Sequence, residues 1–284
     1  MEFTVGIDAG SAAVKALAFG GGRPLAWLQE PTRPDVRAQC GELLGRLGAE
    51  PDLDGARPQV VCATGYGRNL VEECDRRVSE ILANALGAGW MWRNWEHLGR
   101  EDEGFGAPPH PERVAAAFRT IVDVGGQDSK VITFTADGLV DQFAMNDRCA
   151  AGTGRFLEVM ARVLEVDLAR LDELALAAER PAPVSSTCTV FAQSEVVSLL
   201  AEGAAREEVA AGVFGGVAKR VSELARQVGY EPPVMFDGGP SHLRALRRAL
   251  EEELGCEVAV PPAAEFTTAL GAALYAEGGG ACEG

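Results

Sequence analysis

One pattern occurs twice in this chain and restricts its architecture more than any other: an apolar strand ends in Asp-x-Gly, turns tightly into a second strand, and turns again into a third. The first copy runs from Phe3-Thr4-Val5-Gly6-Ile7-Asp8 through a turn at Gly10-Ser11 to a strand over 14–19, then through Gly20-Gly21-Gly22 to a strand over 24–29. The second runs from Thr120-Ile121-Val122-Asp123-Val124-Gly125-Gly126 to strands over 130–135 and 139–144, with the turn Ala136-Asp137-Gly138 between them. Asp8 and Asp123 stand about 115 residues apart, further than any solenoid period, which predicts one copy in each of two domains. At 284 residues the chain is long enough to bury two modest cores.

Helical patterns fill much of the remainder. Phe156, Val159, Met160 and Val163 recur at the spacing of one helix face, predicting a helix over 155–163, and similar patterns cover 189–200 and 209–228. Gly212, Gly215 and Gly216 weaken the start of the last of these. A short buried strand over 234–236 ends in a third glycine turn, Asp237-Gly238-Gly239, followed by a helix from about His242 to Leu254. A strand over 257–260 is stopped by Pro261-Pro262, and a small-residue helix covers 266–276. Trp90, Trp92 and Trp95, followed by charge, Gly and Pro, read as a surface excursion and an insertion at about 88–112.

A phosphate-binding glycine turn of the Rossmann or P-loop kind opens a helix, whose N-terminus faces the phosphates. Both Asp-x-Gly turns here run into a partner strand instead, so the backbone N–H groups of Gly10-Ser11 and of Gly125-Gly126-Gln127 are the expected phosphate donors. Asp8 and Asp123, at the strand ends, are placed to hold Mg2+ through water, since that ion keeps much of its hydration shell. A single Asp-x-Gly is often an ordinary hairpin turn, but two copies in matching context plus a third glycine turn weigh against that reading. The formal charge of −16 excludes nucleic acid and anionic membrane surfaces as partners, because clustered Lys and Arg would be needed to bind them. The chain enters a strand pattern at once and has no apolar run approaching a membrane span, so a cytoplasmic protein is expected.

The three turns resemble the nucleotide site of the actin, Hsp70 and sugar-kinase superfamily, with phosphate 1, phosphate 2 and adenosine motifs in that order. The resemblance implies a duplicated α/β fold of two ribonuclease H-like domains with ATP or ADP in a cleft between them. Gly238 and Gly239 would then approach the adenosine. Lys15, unless it is simply a solvated strand residue, and Gln127 or Asp128 are candidates for contacting phosphate or orienting the attacking water. The domains are expected at 1–117 and 118–262, with a C-terminal helix over 263–277 packing back on the first.

Seven cysteines (40, 62, 74, 149, 188, 256 and 282) form no C-x-x-C pair. Cys149 and Cys188 each precede a helical pattern, where a helix N-terminus favours thiolate over thiol. Two thiolates cannot complete a site of four sulfurs, whereas a two-fold dimer supplies four, the number a cubane iron–sulfur cluster takes. Isolated cysteines are usually core residues, and Cys62 beside Val60-Val61 is read that way. The strings A-T-G-Y-G-R-N at 63–69, V-D-V-G-G-Q-D-S-K at 122–130, M-N-D-R-C-A-A-G-T-G-R-F at 145–156, S-S-T-C-T-V-F-A-Q-S-E-V at 185–196 and A-L-G-A-A-L-Y-A at 269–276 resemble the activators of 2-hydroxyacyl-CoA dehydratases, a family shared with ATP-binding subunits of benzoyl-CoA reductases.

That resemblance implies a homodimer in which Cys149 and Cys188 of both copies ligate one 4Fe-4S cluster. It implies a reduced ferredoxin or flavodoxin as electron donor, an iron–sulfur dehydratase or reductase as acceptor, and ATP hydrolysis that drives one electron forward. Gly152-Thr153-Gly154 would join Cys149 to its helix and carry domain movement to the thiolate. The adenosine motif departs from the family pattern in Pro240 and His242, and His242 reads as an early helix residue rather than a ligand. Two other readings stand beside this one. A small-metabolite kinase of the same fold would need a general-base Asp that no further segment supplies, and a nucleotide-gated interaction module would leave the two Cys strings unused.

Overall fold

A computed structural model describes residues 2–95, 118–146, 150–184 and 189–278. The chain divides into two compact units, one from Met1–Leu98 with Glu265–Gly284 and one from Gly99–Ala264. In the first, β1 (Thr4–Ala9), β2 (Ala13–Gly20) and β3 (Arg23–Pro31) form an antiparallel meander, and α1 (Val36–Gly48) follows. β4 (Val60–Thr64) then returns parallel to β1, β5 (Arg76–Arg77) lies parallel to β4, and α2 (Glu80–Arg93) closes the run. The sheet order is β3-β2-β1-β4-β5. α1 starts where the Asp35 carboxylate accepts the Ala38 N–H, and it turns Cys40, Leu43 and Leu47 into the core.

The second unit repeats this plan. β6 (Thr120–Val124), β7 (Ser129–Phe134) and β8 (Val140–Asn146) form the meander. They are followed by α3 (Gly154–Val163), α4 (Leu168–Ala177), α5 (Thr189–Ala201) and α6 (Arg206–Gln227). β9 (Val234–Asp237) then pairs parallel with β6, α7 (Arg244–Leu254) follows, and β10 (Val258–Ala259) pairs parallel with β9. The order β8-β7-β6-β9-β10 is that of the first sheet, strand for strand. α3 buries Phe156, Leu157, Met160 and Ala161 and exposes Arg155 and Arg162. Of the α6 glycines, Gly212 has a packing role: a Cβ there would lie 2.2 Å from the Ala182 carbonyl, so only glycine lets that segment approach.

The last helix, α8 (Thr267–Glu277), packs on β1 and α2 of the first unit through glycine. A Cβ would stand 1.9 Å from the Ala269 carbonyl at Gly6, 1.9 Å from that of Thr267 at Gly87, and 1.6 Å from that of Ala83 at Gly271. Backbone therefore rests on backbone, and Thr4 Oγ1 donates to the Ala273 carbonyl across the same contact. The surface excursion expected from the tryptophans is corrected here for its first part. Residues up to Arg93 belong to α2, which Ser79 caps, and Met91, Trp92 and Trp95 are buried. Trp90 sets its ring edge-on against Phe19, and Trp92 does so against Trp95. The polar remainder of that stretch, 96–112, lies outside the described residues. Among the described residues no helix is long and apolar enough to cross a membrane.

Candidate functional site: two braced carboxylates and three glycine turns

Asp8 stands next to last in β1 with its carboxylate almost fully buried, and β-sheet register sets Lys15 opposite it on β2 and Thr64 opposite it on β4. Lys15 Nζ lies 3.4 Å from Asp8 Oδ2. Among the described residues, the other carboxylate oxygen, Oδ1, has no hydrogen-bond partner, and neither has the buried hydroxyl of Thr64. Gly65 follows Thr64 at φ +84°, where a Cβ would sit 2.4 Å from Asp8 Oδ1, so the chain can pass the carboxylate only as glycine. In the turn, the Gly10 carbonyl is fixed by Thr32 Oγ1 at 2.8 Å and Ser11 is half-buried.

The second unit builds the same arrangement with more charge. Asp123 stands next to last in β6, facing Lys130 on β7 and Asp237 on β9. Lys130 is fully buried, with Nζ 3.2 Å from Asp123 Oδ2 and 2.8 Å from Asp128 Oδ2. Asp128 is therefore turned inward, its carboxylate committed to Lys130 and set under the Cα of Gly125. Gln127, the other candidate from this turn, is exposed at its tip. The Gly125 N–H is spent, because it donates to the Asp128 carbonyl at 2.9 Å to close the hairpin. Gly238, at φ +85°, repeats the part of Gly65: a Cβ would stand 2.2 Å from the Val124 carbonyl and 2.7 Å from Asp123 Oδ1. Gly239 is exposed beside it. Thr64, Gly65 and Lys130 escaped sequence reasoning, although Lys130 follows Asp123 by the same seven residues that separate Lys15 from Asp8.

The start of α3 is clipped to the second turn. Gly154 N–H donates to the Gly125 carbonyl at 2.9 Å and Arg155 N–H to the Gly126 carbonyl at 2.8 Å, while Phe156 N–H turns back to Thr153. A Cβ on Gly154 would lie 3.0 Å from Pro240 Cγ, so this point also touches the third turn. Upstream, Asn146 Nδ2 donates to the Ala151 carbonyl and buried Thr153 donates through Oγ1 to the Ala150 carbonyl. Gly152 takes φ +93° against Arg220 of α6. Cys149 and Cys188 themselves lie outside the described residues. The leading N–H groups of α3 are engaged, those of Gly154 and Arg155 by the turn carbonyls and that of Phe156 by Thr153. Cys188 immediately precedes Thr189, the first residue of α5.

Of the other cysteines, Cys40 and Cys62 are buried, and desolvation pushes their thiols up to about 11 and about 12, which marks them as unreactive core residues. Burial also raises Cys74 and Cys256. Cys282 lies outside the described residues. Among the described residues no three His, Cys, Asp or Glu side chains are grouped to hold a metal directly. A hydrated Mg2+ nevertheless fits the first turn, because Asp8 Oδ1 is a buried carboxylate oxygen that lacks a donor and a metal-bound water would provide one.

Two five-stranded sheets of identical order, each with a lysine-braced aspartate at the end of its first strand, define the duplicated α/β fold of the actin, Hsp70 and sugar-kinase ATPases. A ROK family glucokinase from Streptomyces griseus shares this fold alone, with a TM-score of 0.54 at 13% identity, covering 98% of this chain and 100% of that one. Within that class the chain belongs to the BadF/BadG/BcrA/BcrD ATPase family, whose pattern matches residues 113–276. It is 38% identical over 280 residues to the (R)-2-hydroxyglutaryl-CoA dehydratase activating ATPase of Acidaminococcus fermentans, covering 96% of both chains. The solved structure of that organism's dehydratase component A has a TM-score of 0.82, at 37% identity, covering 97% of this chain and 98% of that one. The 2-hydroxyisocaproyl-CoA dehydratase activator of Clostridioides difficile is 36% identical over 274 residues, covering 96% of this chain and 94% of that protein. A structure of that activator with bound ADPNP has a TM-score of 0.81 at 36% identity, covering 96% of this chain and 94% of that one.

Proposed function

We propose that this protein is a homodimeric iron–sulfur ATPase that activates a 2-hydroxyacyl-CoA dehydratase, or a related iron–sulfur enzyme, by coupling ATP hydrolysis to the transfer of a low-potential electron. The observation that carries this reading is the pair of braced carboxylates, Asp8–Lys15 and Asp123–Lys130, in a chain that matches dehydratase activators over nearly its whole length. In this reading Asp8 and Asp123 hold Mg2+ through water, and the backbone donors of Gly10, Ser11, Gly126 and Gln127 receive phosphate oxygens. Lys15 adds positive charge beside the first turn, Gln127 orients the attacking water, and Gly238 and Gly239 leave room for adenosine. When bound, the cation neutralises charge on the β- and γ-phosphates.

The thiolates of Cys149 and Cys188, with those of a second copy, would hold one 4Fe-4S cluster, a one-electron carrier supplied by reduced ferredoxin or flavodoxin. The clip between the second turn and α3 gives the coupling a physical route. Any shift of Gly125 and Gly126 when phosphate leaves is imposed on Gly154 and Arg155, and so on the segment that follows Cys149. Anaerobic purification followed by iron and sulfide analysis tests the reading. About four irons per dimer are expected, lost in Cys149→Ala and Cys188→Ala while ADP still binds. A protein free of iron after reconstitution, or loss of iron on Cys40→Ala instead, would overturn it.

A further inference from the structure

Among the described residues, two buried oxygens of the first unit that lack a hydrogen-bond partner are neighbours. Among the described residues Asp8 Oδ1 and Thr64 Oγ1 both lack a hydrogen-bond partner; the two residues are 5% and 0% exposed and are directly paired across the parallel β1–β4 ladder. Buried polar atoms are almost always paired, so two unpaired ones at the same strand ends indicate a missing donor rather than two separate accidents. Gly65 sharpens the case. At φ +84° it brings backbone rather than a side chain against that oxygen, since a Cβ would stand 2.4 Å from Asp8 Oδ1. The second unit places Asp237 where the first has Thr64, opposite Asp123 and ahead of Gly238 at φ +85°, so each half carries an oxygen at this register position.

We propose that Thr64 is a further positioning residue of the nucleotide site: its hydroxyl and Asp8 Oδ1 together hold one water of the divalent cation's hydration shell. The proposal rests on the assignment of Asp8 to that cation made above. The chemistry matches in number and in kind. A water bound to a metal through its oxygen has two hydrogens to donate, and the site offers two unpaired acceptors, one of them anionic.

The test uses Thr64→Val, which keeps the side-chain shape, and Thr64→Ser, which keeps the hydroxyl. Calorimetry of ADP binding with Mg2+ and with EDTA measures the tightening due to the cation, and electron spin resonance of Mn2+ measures the cation itself in the presence of ADP. Thr64→Val is expected to leave ADP affinity in EDTA unchanged and to lose about tenfold of the cation-dependent tightening, the worth of one charge-assisted hydrogen bond. Mn2+ binding should weaken by a similar factor, and Thr64→Ser should restore both. The ligand-free Val variant should melt no lower than the wild type, because the hydroxyl it loses makes no protein bond. Unchanged cation dependence, equal weakening in EDTA, or a lowered melting temperature would each overturn the proposal. Asp8→Asn separates the two levels of the argument. If it abolishes the cation dependence while Thr64→Val does not, only the role of Thr64 fails; if it too has no effect, the assignment of Asp8 fails with it.

Discussion

Lys130 is fully buried between Asp123 at 3.2 Å and Asp128 at 2.8 Å, an ammonium shared by two carboxylates. Such a group stabilises mainly by not being removed, since either charge alone in the interior goes uncompensated. Lys130→Met should therefore cost about 3–5 kcal/mol by leaving two carboxylates facing each other. Urea denaturation would register this as a lowered midpoint, whereas a change below about 1 kcal/mol would place Lys130 in the class of solvated ion pairs. The spacing of Asp and Lys was visible in the sequence, but their pairing was not, because it depends on strand register rather than on residue type. The same holds for Thr64, an ordinary strand-end threonine until β4 is placed beside β1. Asp128 shows the converse. It is one of two polar residues at the tip of the second turn, and only the folded geometry shows that its carboxylate pairs with Lys130.

Among the elements, α3 connects most of the candidate site. Two hydrogen bonds tie its start to the second turn, and a Cβ on Gly154 would meet both that turn and Pro240. Hydrogen exchange at Gly154 and Arg155 should slow when ADP binds, because ordering the turn orders its carbonyls. In Gly154→Ala the added Cβ, 3.0 Å from Pro240 Cγ and 3.2 Å from the Gly125 carbonyl, should remove that protection while ADP still binds. Protection that persists in the variant would show that the clip transmits nothing. The elements differ in how plainly they could be read. α3 was legible because Phe156, Leu157, Met160 and Ala161 form one clean apolar face. α1 was not, since Gly41, Gly45 and Gly48 interrupt its pattern and the polar Gln39 is buried within it. In α2 the tryptophans suggested a surface, although they pack against Phe19 and against one another.

For the molecule as a whole, the duplication was the most legible feature, because a strand with Asp-x-Gly at its end followed by a meander is a local pattern that leaves its trace in consecutive residues. What the chain could not display locally is that the duplication extends to the parallel strands. Gly65 after β4 and Gly238 after β9 occupy matching places at φ +84° and +85°, yet the residues around them, Ala63-Thr64-Gly65-Tyr66 and Phe236-Asp237-Gly238-Gly239, share little beyond the glycine. The account joins these turns to Cys149 and Cys188 as energy source and electron carrier, and its central claim is that the cluster senses the nucleotide. Electron paramagnetic resonance of the anaerobically purified, dithionite-reduced protein, recorded with and without Mg-ADP, tests that most directly. The account predicts the signal of a reduced 4Fe-4S cluster whose line shape changes when Mg-ADP is added. No cluster signal, or one indifferent to the nucleotide, would contradict it.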